Sequence, residues 1–162
     1  MFDKILERNI VSRTAMIVGY GINGHWKEAL KIFYEVQKVG LKPNHITLVV
    51  LMSAYNHASL VAKGWKYFNS MSMDYHITPT VEHFACMVYL LGHVGHLGEA
   101  ESIVKTMPVQ ANAGVWGALL GACKIHCNLM LGECVARILF ELEPENAGNY
   151  ILLGNMYATT RQ

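Results

Sequence analysis

The chain has 162 residues, 52% of them hydrophobic and 15% charged, with a formal net charge of +1 at pH 7. Such a composition can bury a sizeable core and is not that of a disordered segment. The near-neutral balance excludes a strong field announcing a polyanionic partner. No apolar run reaches membrane-spanning length, since the uncharged stretch 106–123 carries Pro108, Gln110, Asn112 and several glycines. Residues 1–8, Met-Phe-Asp-Lys-Ile-Leu-Glu-Arg, hold acidic residues early and no apolar segment, so they read as neither a secretory signal nor a transit peptide.

Taken in order, residues 2–8 read as the tail of a helix, with Phe2, Ile5 and Leu6 on one stripe. A first unit then spans 10–44. Its opening helix is predicted over 12–20, ending at a turn that contains Asn23-Gly24. Its second helix sets Ala29, Leu30, Ile32, Phe33 and Val36 on one face, with Glu28, Lys31, Glu35 and Lys38 largely opposite. Gly40 stands where a left-handed C-terminal residue is wanted, and Pro43 prevents continuation.

The unit 45–80 repeats this plan: Gly64, Phe68 and Met71 each fall 35 residues after Ala29, Phe33 and Val36. The unit 81–112 places Gly95, Ala100, Val104 and Met107 a further 36 residues on from Ser59, Gly64, Phe68 and Met71, and closes early at Met107-Pro108. A fourth unit, 113–146, closes on Glu143-Pro144-Glu145-Asn146, and 147–162 begins a fifth.

One apolar segment carries this register. Thr14–Tyr20 returns as Val49–Tyr55, Ala85–Leu91, Gly117–Cys123 and Ile151–Tyr157, at spacings of 35, 36, 32 and 34 residues. A near-constant period of this size marks stacked helical hairpins, whereas a four-helix bundle leaves the period unexplained. The expected fold is all-α, a right-handed superhelix of helix-turn-helix repeats like the tetratricopeptide solenoids. Small residues at Ala29, Gly64, Ala100 and Gly132 let the two helices of a hairpin approach, and Phe33, Phe68 and Val104 fill the space between hairpins. The chain starts inside one repeat and stops inside another with no polar capping unit, which is the expectation for a fragment of a longer protein.

The segment 11–33, with Asn23-Gly24-His25-Trp26-Lys27-Glu28-Ala29-Leu30 at its centre and Gly40-Leu41-Lys42-Pro43-Asn44 closing the unit, resembles a pentatricopeptide repeat. Gly64-Trp65-Lys66-Tyr67-Phe68, Thr78-Pro79-Thr80 and Gly95-His96-Leu97-Gly98-Glu99-Ala100 are similar to the long and short repeat variants of the plant PLS subfamily. Val115-Trp116-Gly117-Ala118-Leu119-Leu120 and Leu142-Glu143-Pro144-Glu145-Asn146 resemble the E-type extension motifs of that subfamily. On this resemblance the chain divides into 1–9 (tail of a preceding repeat), 10–44, 45–80 (long variant), 81–112 (short variant), 113–146 (extension motif) and 147–162 (second, truncated extension motif).

The resemblance implies binding of single-stranded organellar RNA at about one base per repeat, in mitochondrion or chloroplast, with a transit peptide expected outside this sequence. It further implies a place in cytidine-to-uridine editing, with other editing proteins as partners of the extension motifs. No cofactor, membrane or small-molecule substrate is expected. The base-reading pair of each repeat maps to Thr14 and Asn44, to Val49 and Thr80, and to Ala85 and Asn112, with Val11 and Ile46 flanking the first base. The family associates the first pair with adenine, whereas Val49 and Ala85 cannot hydrogen-bond a base edge. Departures from the pattern are Arg13, Ser59, Tyr89, His93, His96 and Cys127.

Enzymatic readings are weaker. Zinc-dependent deaminase chemistry requires His-x-Glu and Cys-x-x-Cys, and neither occurs. Cys123, Cys127 and Cys134 invite a metal reading, but they lack paired spacing, and a buried helix end and a turn residue account for the first two. Cys86, Cys123 and Cys134 sit in apolar segments as small hydrophobes, reduced and structural. His25, His45, His57 and His126 lie near turns and helix ends without an acid–base partner pattern. Met71, Met87, Met107 and Met156 fall in apolar segments and read as core. Lys27, Lys31, Lys38 and Lys42 could contact phosphate, but the interleaved Glu28 and Glu35 equally make a solvated face. The alternative function is a helical protein-interaction scaffold that does not bind RNA.

Overall fold

The computed structural model describes residues 12–21, 23–38, 40, 42–57 and 59–160. The expected helical tail at 2–8 and the flanking residue Val11 lie outside them. Among the described residues every regular element is a helix. These are α1 (residues 12–21) and then α2 (Trp26–Lys38), α3 (His45–His57), α4 (Val61–Met73), α5 (Val81–His93), α6 (Leu97–Thr106), α7 (Ala113–Ile125), α8 (Leu129–Leu142) and α9 (Ala147–Thr160). None of them is long and apolar enough to cross a membrane. The chain forms two compact units, Met1–Pro79 with α1–α4 and Thr80–Gln162 with α5–α9.

Four hairpins share one turn. Gly24 (φ 77°), Ser59 (φ 53°), Gly95 (φ 90°) and Cys127 (φ 53°) all adopt the left-handed conformation. The following N–H in each case reaches the carbonyl five residues back: His25 to Tyr20 at 2.9 Å, Leu60 to Tyr55 at 3.0 Å, His96 to Leu91 at 2.9 Å and Asn128 to Cys123 at 2.9 Å. This closure satisfies carbonyls that a helix end otherwise leaves bare. The carbonyls of those same four donor residues then accept from Ala29, Gly64, Ala100 and Gly132 at 3.0–3.1 Å, opening the second helix at once. The reversal therefore occupies a fixed number of residues, and the two helices of a hairpin are forced together. Hence the need for small side chains: Ala29 and Ala100 are fully buried, and a Cβ on Gly132 would stand 3.5 Å from Cys123 Cβ across the hairpin, besides colliding with Met156 Cε of α9.

The first unit buries Ile17, Phe33, Leu48, Leu51, Tyr55 and Met71 in one cluster, with Phe68 half-buried against it. Full burial of an aliphatic side chain contributes about 1.5–3 kcal/mol. A layer of tyrosines runs through α2, α3 and α4, which the apolar spacing does not foretell. Tyr55 and Tyr67 stack at 5.5 Å, the Tyr34 and Tyr55 hydroxyls meet at 3.3 Å, and the Tyr67 hydroxyl donates to Gln37 Oε1 at 3.2 Å. Gln37 Nε2 in turn donates to the Tyr75 hydroxyl at 2.9 Å. Burial, then the Tyr34 hydrogen bond, raises the Tyr55 pKa above the usual tyrosine value, so this phenol stays neutral. Polar groups buried here are partnered, as a low-dielectric interior requires.

In the second unit α5 lies against α7 so closely that a Cβ on Gly92 would be 2.5 Å from Ala122 Cβ. Met87, Leu91, Val115, Leu119, Leu120 and Val135 fill the space between these helices and their partners. α6 is short because Met107, next to Pro108, is pushed to an extended ψ of 139°. Val104 is buried as expected. Met71, Met87 and Met156 are core residues, and Met107 is half-buried. Cys123 is buried, but Cys134 is exposed, contrary to the expectation of a buried small hydrophobe. The apolar face of α8 is Gly132, Val135, Ala136 and Leu139, and Cys134 falls outside it on the helical wheel.

Left-handed backbone at a residue with a Cβ costs about 1–2 kcal/mol. Ser59→Gly and Cys127→Gly are therefore each expected to raise stability by about 1 kcal/mol, and Gly24→Ala to lower it by a similar amount, measured by urea unfolding. Unchanged midpoints for both glycine variants would show that the shared turn is not under strain.

Candidate functional site

A helix start leaves backbone N–H groups without partners, and a side-chain oxygen just ahead of it can accept from them. Asn44, Asn112 and Asn146 do this for α3, α7 and α9. Asn44 Oδ1 accepts from the Thr47 N–H at 2.9 Å and from the Thr47 hydroxyl at 2.8 Å. Asn112 Oδ1 accepts from the Val115 N–H at 3.1 Å. Asn146 Oδ1 accepts from the Gly148 N–H at 3.0 Å, while its Nδ2 donates to Glu143 Oε2 at 2.8 Å. At Thr80 the exchange runs through the side chain of His83: the Thr80 N–H donates to His83 Nδ1 at 3.1 Å, and the hydroxyl donates to Glu82.

Thr14, Val49 and Ala85 are half-buried on α1, α3 and α5. At Gly21 α1 passes so close to α3 that an added Cβ would run into Val50 Cγ1, and this contact fixes the register between the two helices. Two successive reversals leave these helices parallel, so Thr14 is level with the start of α3, where Asn44 sits. Ile46, on the first turn of α3, is 47% exposed. The second unit repeats the arrangement, with the contact of Gly92 and Ala122 setting Ala85 level with the first turn of α7, beside Asn112. Val49 and Thr80 belong to different units.

The atoms define what each pair can do. Both acceptor directions of the Asn44 carbonyl are taken by Thr47, so what the carboxamide offers a ligand is its Nδ2 donor. Thr14 adds a hydroxyl that donates or accepts. Val49 and Ala85 add only apolar surface. Few formal charges stand nearby: α1 carries Arg13, α5 Glu82 and α7 Lys124, while α3 and α9 carry none.

The remaining candidates do not converge. Burial, with the Glu101 carboxylate adding, pushes the Cys123 thiol up to about 11, so it stays protonated at neutral pH. Among the described residues no three His, Cys, Asp or Glu side chains are grouped as metal ligands. His126 Nε2 donates to the His93 carbonyl at 3.2 Å, and His96 meets Glu99 at 3.1 Å. The capping role of Asn44, Thr80, Asn112 and Asn146 has a signal in the sequence, a capping residue directly ahead of a helix.

Residues 8–57 match the model of the PPR repeat family, and residues 126–162 match that of the E motif. A pentatricopeptide repeat-containing protein of Arabidopsis thaliana is 48% identical over 158 residues, which is 98% of this chain and 23% of that protein. A second from the same plant, named as mitochondrial, is 46% identical over 98% of this chain and 28% of its own length. The Arabidopsis protein DOT4, named as chloroplastic, is 44% identical over 98% of this chain and 18% of its length. The chain thus spans about a quarter of the length of these relatives. The crystal structure of the maize pentatricopeptide repeat protein PPR10 is similar with a TM-score of 0.74 at 20% identity, covering 99% of this chain and 24% of that one. PPR10 in complex with an 18-nt psaJ RNA element matches equally well, with a TM-score of 0.74 at 19% identity over 98% of this chain and 24% of that one.

Removing a capping side chain costs about 1 kcal/mol, and Asp caps as well as Asn. Asn112→Ala and Asn44→Ala are each expected to lower stability by about that amount in urea unfolding, with Asn44→Asp within a few tenths of wild type. A stable Asn44→Ala together with a destabilised Asn44→Asp would contradict the capping geometry.

Proposed function

The chain belongs to the pentatricopeptide repeat family, and its E motif places it in the PLS branch; from that premise we propose that it binds single-stranded RNA in a plant organelle and contributes sequence recognition to cytidine-to-uridine editing. The observation that carries this reading is the Asn44 carboxamide, anchored through its oxygen at the start of α3 with Nδ2 left to donate. Thr14 lies level with it on α1, and exposed Ile46 stands on the first turn of α3. An adenine edge, offering ring-nitrogen acceptors and an amino group, suits a donor amide beside a hydroxyl. Ala85 with Asn112 holds a weaker position of the same kind, Val49 and Thr80 are assigned from the family resemblance alone, and Val11 with Ile46 flanks the first base. We divide the chain functionally as 10–44, 45–80 and 81–112 for RNA, and 113–146 and 147–162 for extension motifs that dock other editing proteins.

One observation favours a second reading for the later half. The net charge of +1 divides into nine Lys and Arg against five Asp and Glu over residues 1–79, and four against seven over residues 80–162. A net acidic half suits a protein partner better than phosphate, as a scaffold without RNA contact would have it.

RNA binding through first helices that carry so few charges depends on bases more than on phosphates. Short single-stranded RNAs varied at one base and titrated with the full chain are expected to show a preference for adenine on the order of tenfold. Asn44→Asp, which leaves an acceptor in place of the donor, should move the preference towards guanine. The salt dependence should correspond to only about one or two phosphate contacts. Equal affinity for all four bases in both proteins would favour the scaffold.

A further inference from the structure

Between α5 and α7 lies a cleft of about 110 Å³ lined by Tyr89, His93, Gly117, Ala118, Gly121 and Ile125, with Ala122 at its floor. It lies on the face that carries the base-reading residues. Tyr89 and His93 follow Ala85 at one and two turns along α5, and Gly117, Gly121 and Ile125 stand 32 residues after Ala85, Tyr89 and His93. The cleft exists because α7 has hydrogen where α5 has a phenol ring: a Cβ added at Gly117 or Gly121 would meet nothing within 4 Å. Its large apolar walls stay wet, Tyr89 at 46% and Ile125 at 56% exposure. The Tyr89 and His93 rings stack along the α5 wall, parallel within 4° at a centroid separation of 6.0 Å, and Tyr89 remains exposed.

We propose that this cleft is a stacking site for one nucleobase of the bound strand, with Tyr89 as the stacking ring; the inference rests on the RNA reading above. The size argues for a single planar ring system, since the cleft is well below the roughly 300–1,000 Å³ of pockets that enclose larger ligands. A protein segment such as a helix needs a longer trough. Among the described residues no carboxylate lines the cleft. The acidic residues of this unit lie on α6, α8 and the segment after α8, apart from Glu82 at the start of α5. Stacking also answers a local deficiency. Ala85 offers no hydrogen bond to a base edge, so this repeat cannot select a base through it, whereas any base presents a π-face to Tyr89. The site would hold a base without choosing its identity.

The test uses the full chain and short single-stranded RNAs carrying 2-aminopurine at successive positions, whose fluorescence is quenched when the base stacks. One position is expected to be quenched on binding. Tyr89→Ala should abolish that quenching and weaken binding on the order of tenfold, whichever natural base stands there, while Tyr89→Phe retains both. Gly121→Leu fills the cleft from α7 without backbone strain and replaces a poor helix former, so it should lose the quenching while unfolding no earlier than wild type. RNA bound with wild-type affinity and quenching by Tyr89→Ala and Gly121→Leu would overturn the site, assign the cleft to something other than a base, and leave the RNA reading intact. No RNA binding by wild type at any sequence would sink the RNA reading itself, and this site with it.

Discussion

Everything in this chain depends on a hydrogen bond that spans six residues. From His25 to Tyr20, Leu60 to Tyr55, His96 to Leu91 and Asn128 to Cys123, it closes a helix just past a residue whose backbone is left-handed. Because the donor residue also begins the next helix, the hairpin has no slack: the second helix must start at once and pack where the turn sends it. Small residues at Ala29, Gly64, Ala100 and Gly132 are the consequence of that geometry. Two of the four turns achieve it without glycine, so the closure is strong enough to hold Ser59 and Cys127 in a conformation their side chains disfavour.

The hairpins were legible because turn chemistry and apolar spacing repeat in register, and each constraint acts over a few residues. Asn23-Gly24 marks a turn, Gly40 and Pro43 mark a stop, and the helices between them follow. The all-α repeat fold was therefore readable from the residues alone. The tyrosine layer of the first unit was not. Tyr34, Tyr55, Tyr67 and Tyr75 are each ordinary in their own segment, and their hydroxyls meet only because α2, α3 and α4 converge. Cys134 shows the same limit in reverse, an apolar neighbourhood in sequence that turns out to be the outer side of α8.

The candidate site was partly legible. Asn44, Thr80 and Asn112 could be picked out through the family resemblance, and a capping residue ahead of a helix is a signal the sequence carries. Which atoms the cap consumes was not readable. Asn44 Oδ1 engages both the amide and the hydroxyl of Thr47, and that depends on a rotamer. The cleft beside Tyr89 was equally hidden, since its opposite wall comes from Gly117 and Gly121, 28 and 32 residues further along the chain. Net charge was misleading in a similar way, because a balance near zero conceals a basic first half and an acidic second half.

On the proposed RNA reading, a residue at position 44, 80 or 112 both starts a helix and faces a ligand, and is bound by two vocabularies. At positions 44, 80 and 112 the chain can write Asn, Asp, Ser or Thr without loosening the hairpin that follows, because each supplies an oxygen to the helix start. Leucine or valine there would silence the position and unfasten the next helix together. Residues 14, 49 and 85, lying within a helix, carry no such restriction and stand as Thr, Val and Ala. On that reading the array has a small alphabet at one place of each pair and an open one at the other, and the proposed RNA contacts could change by steps that never pass through an unfolded protein.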